Sequence, residues 1–122
     1  MLHEWVRELL VSLRFIRKPQ YVAIFVTDNP APGTLPRGQL VVVGGNTWKW
    51  AYLLCPCGCG ETIMLSLSPA RRPSWKVKVD MLGRPTVYPS IHQTEGCRSH
   101  FWLRIGIIQW CSDSPFINQR SR

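Results

Sequence analysis

No stretch of this sequence approaches the roughly 20 consecutive apolar residues that a membrane-spanning helix needs, which argues against a span. The opening MLHEWVRELL carries Glu4, Arg7 and Glu8 where a secretory leader would have an uncharged apolar region, so a cytoplasmic protein is expected. Charged residues are few, 18% against 45% hydrophobic, which argues against a disordered tail or a coiled coil. Acidic groups are the scarcest of these. Seven Asp and Glu face fifteen Lys and Arg, a balance of +8 that favours nucleic acid, an acidic protein surface or anionic lipid as partner without choosing among them. The sequence also lacks an even set of cysteines. Its five, three of them within residues 55–59, do not make a disulfide framework and fit a reduced, metal-binding cluster better.

What is present describes one modest core. At 122 residues the chain suits a single domain, residues 1–122, and ten prolines with nine glycines interrupt it too often for a helical bundle. Leu2, Trp5, Val6, Leu9, Leu10, Leu13 and Ile16 recur at helical spacing, predicting an amphipathic helix over about residues 2–17. Pro19 ends it. Strands are expected over 21–27, 39–43, 47–54, 62–67, 75–79, 86–88, 101–105 and 107–110, with turns at Gly44-Gly45-Asn46, Asp80–Arg84 and Gly106 and a loop from Asp28 to Gly38. The expected class is α+β: the N-terminal helix packed on a mostly antiparallel β-sheet with a zinc-knuckle-like cysteine cluster. The functional half is the Cys-rich stretch from about 50 to 111.

The densest chemistry lies in Cys55-Pro56-Cys57-Gly58-Cys59-Gly60-Glu61. Thiolates are soft ligands suited to Zn2+, and interleaved Gly and Pro let neighbouring sulfurs converge on one ion. A tetrahedral ion wants a fourth ligand, and Gly96-Cys97-Arg98-Ser99-His100 offers Cys97 and His100, with Cys111 in reserve. If residues 97–103 run extended, Cys97, Ser99, Phe101 and Leu103 face one side and Arg98, His100 and Trp102 the other, so Cys97 and His100 cannot share an ion. If 97–100 forms a tight knuckle, both can.

In the extended case His100 is available as a base, and Ser99 is badly placed to meet it. Ser90, in Tyr88-Pro89-Ser90-Ile91, is then the better nucleophile, with Glu61, Asp80 or Glu95 as candidates to orient the imidazole. His3 and His92 read as surface or packing histidines. Trp48, Trp50, Trp75, Trp102 and Trp110 fall on predicted strands, where core and groove lining is the default role. Interleaved with Lys and Arg they could also stack single-stranded nucleic acid, although no RNP-type or zinc-finger recognition spacing occurs.

The run from Cys55 to Glu61, the Tyr88-Pro89-Ser90-Ile91 step and Gly96-Cys97-Arg98-Ser99-His100-Phe101-Trp102-Leu103 together resemble a small bacterial family. That family is encoded beside ubiquitin-like modifiers and E1/E2-like enzymes in bacterial ubiquitination-like (Bub) operons. The similarity covers roughly residues 50–111. It implies a zinc-stabilised, deubiquitinase-like peptidase of serine type, cutting at or near a modifier's C-terminus. Cys55, Cys57, Cys59 and Cys97 match the family's metal-ligand candidates, and Ser90 and His100 match polar positions of its shared motifs. Its implied partners are a ubiquitin-like modifier, its conjugates and the E1/E2-like enzymes. Two other readings compete: a metallopeptidase with Glu61 as base, and a non-enzymatic zinc-ribbon-like module that binds a protein or nucleic acid.

Overall fold

In a computed structural model, residues 2–31 and 33–115 are described. One helix, α1 (Leu2–Ser12), precedes eight strands: β1 (Val22–Val26), β2 (Gln39–Val43), β3 (Trp50–Leu54), β4 (Thr62–Ser66), β5 (Lys76–Val79), β6 (Pro85–His92), β7 (His100–Arg104) and β8 (Ile107–Trp110). They form two four-stranded sheets, β1-β2-β3-β4 and β5-β6-β7-β8, each in chain order. Among the described residues only β1 and β2 run parallel; the second sheet is an antiparallel meander.

Alternation decides what each sheet buries. Leu40 and Val42 of β2, Ala51 and Leu53 of β3, and Ile63 and Leu65 of β4 join Val87 and Ile91 of β6, Phe101 and Leu103 of β7, and Ile108 and Trp110 of β8 in one apolar cluster. Phe101 and Trp110 meet edge to face, centroids 5.7 Å apart. Each large side chain fully buried here contributes about 1.5–3 kcal/mol of transfer free energy. The segment leading into β1 ties the sheets together. Gln20 and Tyr21 both donate backbone N–H groups to the carbonyl of Gly106, in the β7–β8 turn, at 2.7 and 3.0 Å. The Tyr21 phenol reaches the carbonyl of Leu54 at 2.6 Å.

The expected α+β architecture is therefore overturned: the protein is mostly β, and each sheet covers the other where the helix was expected to lie. The helix keeps its amphipathic pattern but leaves Trp5 56% and Leu9 45% exposed. Arg7 Nη1 donates to the Leu82 carbonyl at 2.9 Å, linking α1 to the β5–β6 turn. Helix α1 also stops at Ser12, short of the expected residue 17. Arg14 adopts φ 63°, and the bonds Phe15 N–H to Leu10 O and Arg14 N–H to Val11 O close a Schellman-type C-terminus. Such caps usually carry Gly or Asn at the left-handed position, so Arg14 gave no warning.

The two surfaces differ sharply in what they contribute. Leu9→Ser on the open face of α1 changes the unfolding free energy by less than about 0.5 kcal/mol, whereas Phe101→Ala costs about 3–5 kcal/mol. Urea denaturation of the two variants measures both.

Candidate active site and cysteine cluster

The period-two pattern that fills the core runs on past the strand ends. In the first sheet, Ala51 and Leu53 face inward, and the next residue in phase is Cys55, also buried. In the second, Leu103, Phe101 and Ser99 are buried in succession, and a turn in which Arg98 takes φ 61° brings Cys97 back to the same side, partly buried. Both sheets therefore aim a cysteine at the same end of the core. The β3–β4 connection then folds back, with Gly58 at φ 90° and its N–H on the Cys55 carbonyl at 3.2 Å, returning Cys57 and Cys59 toward Cys55. A positive φ here favours glycine, which has no Cβ to clash.

The sulfurs of Cys55, Cys57, Cys59 and Cys97 all lie within 4.8 Å of one another. Cys55 Sγ is 3.4 Å from Cys57 Sγ and 3.6 Å from Cys97 Sγ. Four thiolates at about 2.3 Å from a tetrahedral ion stand about 3.8 Å apart, so the donor set has the spacing of a four-thiolate metal site. Backbone N–H groups of Cys59 and Glu61 donate to the sulfurs of Cys57 and Cys59 at 3.3 and 3.4 Å. Burial pushes the Cys55 thiol well above its ordinary range, only partly offset by its hydrogen bond with Ser99. Burial also pushes the Cys97 thiol up, but hydrogen bonds with Ser99, Cys55 and Cys57 together outweigh it and leave Cys97 lowered, to about 7. Cys111 and His100 are not part of this cluster.

His100 occupies the opposite face of β7. Its Nε2 is 3.0 Å from Ser90 Oγ, and its Nδ1 is 2.7 Å from Asp113 Oδ1. Neither alternative describes the whole of 97–103: residues 96–97 turn, Arg98 takes φ 61° and β7 begins only at His100, yet Cys97 and Ser99 face the sulfurs and His100 faces away from them, as the extended reading required. Ser99 Oγ is 3.1 Å from Cys97 Sγ and 3.4 Å from Cys55 Sγ.

Local sequence explains how Ser90 gets there. Pro89 has no N–H for the sheet ladder, and the β6–β7 register breaks between Val87 and Ile91. Four steps along β6, from Val87 to Ile91, oppose two along β7, from Leu103 to Phe101. This bulge re-aims the strand before Ile91 returns to the core. Ser90 thus lies inside β6, where it was expected to follow a shorter strand. The Trp75 indole donates to the Ser90 carbonyl at 3.2 Å.

Asp113 was not among the expected orienting acids. Asp80 instead bonds the N–H groups of Leu82 and Arg84 and pairs with the Arg84 side chain at 2.7 Å. Glu61 and Glu95 line a separate polar hollow with Thr62, Gln93 and Thr94, which His92 also borders. Asp113 arrives on a turn directly after β8. Cys111 N–H donates to the His100 carbonyl at 2.8 Å, Ser114 N–H to the Cys111 carbonyl at 3.0 Å, and His100 N–H to Ser114 Oγ at 3.4 Å. The available signal was an acid within a Ser-Asp-Ser-Pro turn one step past the final strand. The His100 hydrogen bond is the largest influence on the Asp113 carboxyl and holds it below its ordinary range.

A family model for bacterial ubiquitination-like system serine proteases (BubE) matches residues 25–111, well over half of the chain. The chain belongs to the BubE family. The match starts in β1, ahead of the motifs at 50–111, and includes Ser90, His100 and the four clustered cysteines; Asp113 and α1 lie outside it. No curated protein and no solved structure matches the chain significantly. Among the described residues, no helix is long and apolar enough to cross a membrane.

The Asp113–His100 contact has a measurable signature in this BubE chain. Because the folded carboxyl titrates below the unfolded one, the contact is present above the ordinary carboxylate range and is lost only as pH falls through the lowered folded value. In carbon-detected NMR, Asp113 titrates below the ordinary carboxylate range, and His100→Ala returns it toward that range.

Proposed function

We propose that this chain is a zinc-stabilised serine peptidase that processes or removes a ubiquitin-like modifier, with Ser90 as nucleophile, His100 as general base and Asp113 as the group that orients it. The observation that carries this reading is the continuous relay from Ser90 Oγ through both ring nitrogens of His100 to Asp113. Family membership supports the peptidase class and the modifier system.

The relay assigns each proton. Asp113 accepts from Nδ1–H, which leaves a lone pair on Nε2 facing the serine. Ser90 Oγ attacks the scissile carbonyl as its proton passes to Nε2. The imidazolium then returns that proton to the leaving amine, and water releases the acyl group by the same steps reversed in role. Asp113 stabilises the imidazolium in between. It is 59% exposed, so its contribution is screened by solvent and smaller than that of a buried acid.

Cys55, Cys57, Cys59 and Cys97 would hold Zn2+, with each ligand position taken by a thiolate. Such closed sites are structural, which disfavours the metallopeptidase reading. Zn2+ bound there contributes folding free energy and neutralises thiolates that burial opposes. Thiolates of this kind persist in a reducing compartment such as the cytoplasm. The cationic surface suits an acidic modifier or conjugate.

Cleavage of a fusion to the modifier encoded beside this chain tests the assignment. Ser90→Ala lowers turnover by at least about 10³-fold, and Asp113→Asn lowers it by on the order of 10²-fold. Ser99→Ala retains turnover while lowering the unfolding free energy by about 1–3 kcal/mol, because a buried hydrogen-bonding group is lost beside the sulfurs. Turnover unchanged in Ser90→Ala removes the serine mechanism.

The metal assignment has its own readout. Elemental analysis finds one Zn2+ per chain in protein purified without added metal, and Cys97→Ser reduces it. Prolonged chelation lowers the melting temperature and abolishes activity together, as expected of a structural ion. Activity lost with an unchanged melting curve would instead favour a catalytic metal.

A further inference from the structure

A second set of metal-competent groups overlaps the relay, adding to His100 and Asp113 a histidine, His92, that the peptidase reading leaves unused. His92 on β6 lies directly across from His100 on β7. Their rings stack with centroids 4.2 Å apart and planes 13° from parallel. One ligand atom each from His92, His100 and Asp113 falls within 4.8 Å of the other two. We propose that these three residues form an inhibitory site for a divalent transition-metal ion of the zinc class, which captures the catalytic imidazole and switches the peptidase off. The inference rests on the reading of His100 as the base.

Ligand chemistry selects the ion. Two imidazoles and one carboxylate suit Zn2+ and its neighbours in the transition series, whereas Mg2+ and Ca2+ prefer sets made of oxygen alone. Three protein ligands leave a coordination position to water, the composition of open zinc sites and unlike the closed thiolate cluster. Access is direct, since His92 and Asp113 are both exposed. Neither sits in the packed core, so their side chains can turn toward an ion without displacing buried neighbours.

Inhibition follows from counting lone pairs. Neutral imidazole has one, and in the relay it lies on Nε2 toward Ser90. An ion bound at Nδ1 takes the place of that proton, which moves through solvent to Nε2. The ring then donates to Ser90 Oγ and can no longer accept from it. An ion bound at Nε2 occupies the lone pair itself. In both cases no proton is gained or lost by the neutral ring, and the base is gone. Removing the ion restores it.

The test uses the full chain with its cysteine cluster already holding Zn2+, titrated with ZnCl2 in a calorimeter, alongside His92→Ala and Ser90→Ala. A second Zn2+ binds to the wild type and to Ser90→Ala, and binding weakens more than about 10-fold in His92→Ala, since a ligand is lost. In the cleavage assay Zn2+ inhibits the wild type with the same midpoint as the second binding event, excess chelator applied briefly reverses it, and Mg2+ has no effect. Whatever activity His92→Ala retains needs more than about 10-fold higher Zn2+ for half inhibition. A wild type that cleaves yet binds no second ion, or a His92→Ala chain as sensitive as the wild type, overturns the inference and leaves the serine mechanism standing. A chain that binds the second ion through His92 yet cleaves nothing upholds the site and removes the peptidase reading instead.

Discussion

A side chain on β7 can leave the strand in only two directions, and the strict period of two between them is the constraint on which both sites depend. Phe101 and Leu103 fall in one phase and His100, Trp102 and Arg104 in the other, while the turn through Cys97 and Arg98 delivers Cys97 and Ser99 to the side that Phe101 occupies. One strand thus serves the sulfur cluster on its inner side and the Ser90–His100–Asp113 relay on its outer side. Insertion of one residue inside β7, between His100 and Phe101, would turn His100 to the inner face and destroy the relay. The geometry also explains why a single Ser-His step can serve two chemistries without conflict. Ser99 hydrogen-bonds to sulfurs, His100 to a serine and an acid, and the peptide plane separates them.

The sulfur cluster carries a second consequence. Three of its cysteines come from the first sheet's β3–β4 connection and the fourth from the second sheet's β6–β7 connection. An ion held there would join two sheets that otherwise meet through apolar burial and a few backbone hydrogen bonds at Gly106, Gly83 and Ser66. In a chain of this size, where the core supplies a narrow margin of stability, such a junction fixes the angle between sheets and with it the start of β7. The outer face of the second sheet inherits that rigidity. On the same face the Arg104 guanidinium lies over Trp102, 4.3 Å from the ring centroid, and on the first sheet Arg71 lies over Trp50 at 5.3 Å. These aromatic faces are already stacked by the chain's own cations, which leaves less free ring surface than the tryptophan and arginine content suggests.

Much of this was legible in the sequence because strands declare themselves by period and punctuation. All eight strands fall within the expected stretches or overlap them, and the second of them, Gln39–Val43, matches its expected bounds. What periodicity does not reveal is the partner of a face. The stripe of Leu2 to Ile16 announces a helix but not what covers it, and the inner sheet faces cover each other. The phase of alternation limited Cys97 and His100 to two arrangements, and only the turn at residues 95–98, with Arg98 at φ 61°, selects between them. Asp113 was illegible for a different reason. Its place depends on Ser114 and Cys111 bonding to the His100 backbone, which is tertiary information with no local pattern.

The carbonyl of Gly106 shows how far a small change can travel. Its residue holds φ 74°, and a Cβ there would come within 2.7 Å of Pro19 Cβ and 2.8 Å of the Tyr21 carbonyl oxygen. Any larger residue must push the Pro19–Tyr21 segment aside, and with it the Tyr21 ring, whose phenol rests on the carbonyl of Leu54 immediately before Cys55. Crowding at the tip of the last hairpin would therefore loosen the grip on sulfur at the far end of β7, making a bend that touches neither site an indirect guardian of both.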